Sequence, residues 1–130
     1  MKKVLFVCVH NSGRSQMAHA FLKRSGKLIV EADSAGIMPG NEVDPDVVEA
    51  MKEVGIDISE NRPRLITQDI VDECDKVITI GCSIDEACPA KFIVSEDWGL
   101  ADPKGQHKGE VRRIRNEISW KVIDLLERLR

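Results

Sequence analysis

The chain is 130 residues long, 42% hydrophobic and 32% charged, with 19 Lys and Arg against 22 Asp and Glu, four cysteines and no tyrosine. That length suits one domain spanning residues 1–130, large enough to bury a core without disulfides or metal, and the composition excludes a disordered chain. The net charge of −3 gives no support to a nucleic-acid partner, and no apolar run approaches the ~18 residues of a membrane span.

The opening Met-Lys-Lys and the apolar run from Val4 to Val9 mimic a secretory signal. The run stops at His10-Asn11, shorter than the ~7–15 residues of such a core, so it reads as a buried strand, Lys3 to Val9, of a cytoplasmic protein. A polar turn, His10-Asn11-Ser12-Gly13, leads into a helix from about Arg14 to Arg24 closed by Gly26. Leu28 to Ala35 reads as a second strand. Asp44 is a good N-cap with Pro45 at the first helical position, and Val47, Val48, Met51 and Val54 form an apolar stripe ended by Gly55. Thr67 caps a short helix running through Cys74, and Val77–Ile80 and Phe92–Val94 are short strand candidates. Val111, Ile114, Ile118, Val122, Leu125 and Leu129 recur at helical spacing in a basic tail, where residues 104–130 hold 8 Lys and Arg against 4 Asp and Glu, a solvated helix face. Strands alternating with helices predict an α/β fold, a central four-stranded parallel sheet with helices on both faces, and ligands beyond the carboxyl ends of its strands.

Cys8-Val9-His10-Asn11-Ser12-Gly13-Arg14-Ser15 lies at such an end. Five residues wrapped between strand and helix can aim successive N–H groups at one centre, and the helix N-terminus adds positive potential. Arg14 supplies a bidentate clamp for a tetrahedral oxyanion, with Val9, His10, Asn11, Ser12 and Gly13 as the rest of the cradle. The same field stabilises negative charge on Cys8, and Ser15 is placed to hydrogen-bond the thiolate, making a nucleophile aimed at phosphorus or arsenic. The bland alternative is a small buried cysteine closing a strand. In a reducing compartment, four cysteines in so short a chain point to thiol chemistry or metal rather than structural disulfides. A zinc site from Cys74, Cys82, Cys88 and His107 lacks any compact ligand pair, so no metal and no cofactor are expected. Cys82 and Cys88 can lie one or two turns apart on a short helix and bridge only if that helix distorts. Cys74, between Glu73 and Asp75, has acidic neighbours that raise its pKa and leave it inert.

The loop from Cys8 to Ala18 resembles that of the low-molecular-weight protein tyrosine phosphatase fold, shared with the thioredoxin-coupled arsenate reductases. The resemblance extends to Asp33–Ile37, Glu49–Ser59 and Glu96–Pro103, essentially the whole chain. Gln16 stands where the phosphatases usually carry proline, and Lys104-Gly105 follows Asp102-Pro103 where they commonly carry tyrosine, so the sequence is closer to the reductases. The resemblance implies arsenate as substrate, phosphate or sulfate as competing oxyanions, and Asp102 as general acid. It also implies a relay through a Cys8–Cys82 and then a Cys82–Cys88 disulfide reduced by thioredoxin. Nothing in the sequence demands more than a monomer. Many relatives place a potassium ion beside an Asn and a Ser matching Asn11 and Ser34, but its two carboxylate ligands fall at His19 and Arg64 here, which implies no potassium dependence. The alternatives are a phosphatase using only Cys8, Arg14 and Asp102, and a non-catalytic oxyanion- or arsenic-binding module.

Overall fold

Val4, Leu5, Phe6 and Val7 are fully buried in the first strand, β1 (Lys2–Cys8), because both of its faces are covered. The computed structural model, which describes residues 1–81 and 88–130, places β1 centrally in a four-stranded parallel sheet. β2 (Val30–Gly36) lies on one side, and β3 (Lys76–Ile80) and β4 (Glu96–Trp98) lie on the other. Strand alternation divides the core. Val4 and Phe6 join α1 (Arg14–Ser25), α2 (Pro45–Lys52) and α4 (Lys108–Leu129) in the larger cluster. Leu5 and Val7 meet Ile66, Val71 of α3 (Gln68–Asp72) and Ala90 on the opposite face. Each such side chain, fully buried, contributes ~1.5–3 kcal/mol.

The caps follow the sequence. Gly26 donates its N–H to Leu22, Asp44 accepts from the N–H of Asp46, and Thr67 accepts from Ile70. The short helix ends at Asp72, before Cys74. Met17 and Met51 are core residues, and Trp98 fills the core rather than covering the site, its ring 5.5 Å from that of Phe6.

The last strand corrects the sequence reading. Phe92–Val94 is not a strand, and Ile93 is 90% exposed. The edge strand is the polar Glu96-Asp97-Trp98, registered through backbone pairing with β3 and by Thr79, whose hydroxyl donates to Asp97. An edge strand needs one paired side and one anchoring side chain, and only Trp98 here is buried, so no apolar run marks it.

Candidate active site

At the carboxyl end of β1 the chain must turn back into α1 within five residues, and an outer strap dictates how. The carbonyls of Cys8, Val9, His10 and Ser12 accept N–H groups from Ile37, Met38, Gly40 and Asp44. The carbonyl of Asn11 accepts from the Gln16 side chain, and that of Gly13 from Met17 in the first turn of α1. With its carbonyls drawn outward, the loop is left with N–H groups, and among the described residues those of His10 to Gly13 donate to no protein acceptor. This is the anion-binding arrangement expected from the spacing, at the N-terminus of a helix. Gly36 lets the strap lie this close, since a Cβ there would sit 2.9 Å from both the Asn11 nitrogen and the Val9 oxygen. His10 is tied outward as well, its Nδ1 3.0 Å from the Met38 carbonyl oxygen.

Asn11 turns the loop through the left-handed region, φ 49°, a conformation that asparagine tolerates. Its Oδ1 accepts the Arg64 N–H at 3.0 Å, which fixes the amide so that Nδ2 donates to Ser15 Oγ at 2.7 Å. Ser15 Oγ lies 2.9 Å from Cys8 Sγ. With one lone pair of the hydroxyl occupied by Asn11, its proton points to the sulfur, which stabilises a thiolate. Gln16 completes the frame, bonded to Asn11 on one side and accepting from Asn61 Nδ2 on the other.

Arg14 is buried, and its guanidinium is held from behind: NH1 donates to the carbonyls of Leu100 (2.9 Å) and Gly81 (3.3 Å). Gly81 adopts φ +62°, and a Cβ there would strike Arg14. The other terminal nitrogen of Arg14 lies 3.9 Å from Asp102 Oδ2. Asp102 is kept at the rim by the Lys104 N–H on its Oδ1, while Pro103 packs toward Gly13. Cys8, Ser15, Arg14 and Asp102, spread over residues 8–102, are thereby gathered at one mouth.

Of the remaining thiols, Cys82 lies outside the described residues, and with it the geometry of the Cys8–Cys82 and Cys82–Cys88 pairs. Cys88 is half-buried against the smaller core cluster, the one built on Leu5 and Val7. Cys74 is pushed up to about 11, chiefly by burial rather than by its acidic neighbours, because Lys3 offsets part of their effect. Among the described residues no group of three or more His, Cys, Asp or Glu can hold a metal ion. Among the described residues no helix is long and apolar enough to cross a membrane.

The donor set beside Asn11 and Ser34 does not fit potassium. His19 Nδ1 lies 2.9 Å from Ser34 Oγ, Arg64 Nε donates to the Ser34 carbonyl at 3.0 Å, and the Arg64 guanidinium pairs with Asp33. A fixed guanidinium already supplies positive charge there and repels a second cation. Turnover in potassium chloride is therefore expected to equal that in sodium chloride at the same ionic strength. A potassium-specific rise in steady-state rate would contradict this.

Sequence reasoning missed Gly36, Gly81, Asn61 and the Leu100 carbonyl. Only the two glycines carried any signal, Gly36 closing β2 and Gly81 directly following β3.

A family model described as low molecular weight phosphotyrosine protein phosphatase matches residues 3–130. A putative arsenate reductase of Halobacterium salinarum is 42% identical over 94% of this chain and 89% of its own length. Arsenate reductase 1 of Staphylococcus epidermidis is 43% identical over 98% of both. Among solved structures, an arsenate reductase in the phosphate-binding state superposes with TM-score 0.84 at 34% identity, covering 100% of both chains. A thioredoxin-dependent arsenate reductase of Corynebacterium glutamicum gives TM-score 0.78 at 34% identity over 99% of this chain and 62% of that one.

Proposed function

The chain belongs to the low molecular weight phosphotyrosine protein phosphatase family, and from that membership we propose that it is an arsenate reductase, converting arsenate to arsenite. The observation that carries the reading is near-full-length identity of about 40% to arsenate reductases, in a chain whose Cys8, Ser15, Arg14 and Asp102 share one oxyanion cradle.

The chemistry proceeds as thiolate exchange. Arsenate sits on the loop N–H groups of Val9 to Gly13 and on Arg14. The Cys8 thiolate attacks arsenic, Asp102 gives a proton to the departing oxygen, and water leaves behind a Cys8–arsenic(V) bond. The Cys82 thiolate then attacks Cys8 Sγ. A sulfur–sulfur bond forms, the sulfur–arsenic bond breaks with its electron pair going to arsenic, and arsenite leaves as arsenic(III). Cys88 attacks Cys82, returning Cys8 as thiolate, and the Cys82–Cys88 disulfide is reduced by thioredoxin. The cycle needs free thiols, which fits a cytoplasmic setting. Phosphate and sulfate compete for the cradle. Weak hydrolysis of small phosphomonoesters accompanies the reductase activity, because the cradle reads tetrahedral shape and charge rather than the central atom; an arginine phosphatase of Geobacillus stearothermophilus, 27% identical, shares the fold with TM-score 0.81.

The test couples arsenate reduction to NADPH loss through thioredoxin and thioredoxin reductase. Cys82→Ser is expected to stop before arsenite release, and Cys88→Ser to release a single burst of arsenite and then stall. Both variants keep phosphatase activity on a small phosphoester. Sustained arsenate-dependent NADPH loss in either variant would sink the relay.

A further inference from the structure

Behind the cradle, on the side away from Cys8, lies a cleft of about 690 Å³ with no role in the chemistry above. One wall is the outer stripe of α1: His19 and Lys23 stand one turn apart, with Arg24 beside them and Lys27 just past the helix end. The facing wall is the segment from Gly55 to Arg64, which contributes Arg62 and Arg64, with Ile56 and Ile58 as apolar lining. Five permanent cations thus face one another across the cleft, against two acids, Asp33 and Asp57. The two acids offset only part of this charge, and an excess of positive charge remains. Asp33 pairs with Arg64 and Lys3, and Asp57 caps the Ser59 N–H.

Among the described residues Lys23, Lys27 and Arg62 form no ion pair, whereas Arg112, Arg113 and Arg128 on α4 are each paired with a carboxylate. In a chain of net charge −3, gathering like charges from two distant segments costs stability through mutual repulsion. Burial holds the half-buried His19 below its ordinary pKa; Asp33 opposes this, and Lys23, Arg64 and Lys3 add smaller effects in the same direction as burial.

We propose that this cleft is a second anion site, distinct from the cradle, that binds a polyphosphate chain between Lys23 and Lys27 on one wall and Arg62 on the other. A multivalent phosphate chain supplies several oxyanions at once and so can engage separate cations on both walls. The open mouth admits either an inorganic chain or the triphosphate of a nucleotide, with Ile56 available to a base. The floor of the cleft includes Asn11 and Gln16, so its occupant lies against the back of the cradle.

The test is calorimetric titration at low ionic strength with inorganic tripolyphosphate, and separately with ATP, into the full chain. One-to-one binding with Kd below about 1 mM is expected for at least one of them. Arg14→Gln, which disables the cradle, should leave that binding within threefold. Lys23→Glu combined with Arg62→Glu should weaken it at least about tenfold while leaving the KM for arsenate within threefold. Tighter binding of ATP than of tripolyphosphate assigns the nucleotide, and equal affinities assign the phosphate chain alone. Binding lost in Arg14→Gln but kept in the double variant would put the anion in the cradle and overturn the proposal. So would equal losses in both variants, or no binding of either probe to the unaltered chain. None of these readouts depends on arsenate being reduced.

Discussion

Replacing Cys8 with serine is expected to abolish arsenate reduction, lowering the single-turnover rate by about 10⁶-fold, the scale seen when a covalent nucleophile is removed. A hydroxyl in that place is not ionised at neutral pH, and no sulfur remains for a second thiol to attack, so neither half of the relay can begin. Binding should survive, because the cradle donors are backbone N–H groups and Arg14, none of which the substitution touches. The side chain is 2% exposed and serine is slightly smaller, so the fold has room for it. Rapid-quench measurement of arsenite, with arsenate affinity followed by calorimetry, separates the two effects. Measurable arsenite from Cys8→Ser at even a hundredth of the normal rate would show that the electrons travel by another route.

The second large effect belongs to Asp102. Asp102→Asn should slow arsenate reduction by about 10²–10⁴-fold, the usual contribution of a positioned general acid. The amide preserves the acceptor that holds the Lys104 N–H, so the loop keeps its place and the loss is chemical. It also removes a negative charge 3.9 Å from the Arg14 guanidinium, so oxyanion affinity should hold or rise. The side activity offers an independent check. A phosphoester whose leaving group departs as a stable anion needs little protonation, so its hydrolysis should suffer far less than that of phenyl phosphate. Equal losses on both esters would deny Asp102 a proton-transfer role.

How much of this could be read without coordinates depends on how local each feature is. The β1 run, the Asp44-Pro45 and Thr67 caps and the α4 stripe are written in neighbouring residues, and the structure has each of them. The cradle was legible for the same reason: strand, turn and helix N-terminus follow one another within a dozen residues. The strand at Glu96–Trp98 was not, because an edge strand with one buried side chain has no apolar period to detect, and the more apolar Phe92–Val94 nearby drew the eye instead. The supports of the site were equally hidden. The Leu100 and Gly81 carbonyls behind Arg14, the strap at residues 37–44 and the Asn61–Gln16 bond join segments tens of residues apart, and nothing in the composition of those segments reports it. For Cys74 the rise in pKa was legible and Glu73 contributes to it, but depth in the fold outweighs the charge written beside it.

The outward pull of the strap on the loop carbonyls has a consequence for how chemistries diverge on this fold. The N–H groups are oriented by folding itself, so their ordering cost is met before any ligand arrives, and a tetrahedral anion meets a rigid mould. A rigid mould cannot adapt to favour arsenic over phosphorus, whose oxyanions share its shape and charge. Discrimination must then come after capture, from whichever group resolves the bond to Cys8. Water resolving it yields a hydrolase, and a second thiol resolving it yields an electron-transfer enzyme. The same eight-residue loop can serve either trade unchanged, with the choice made by side chains that never touch the anion.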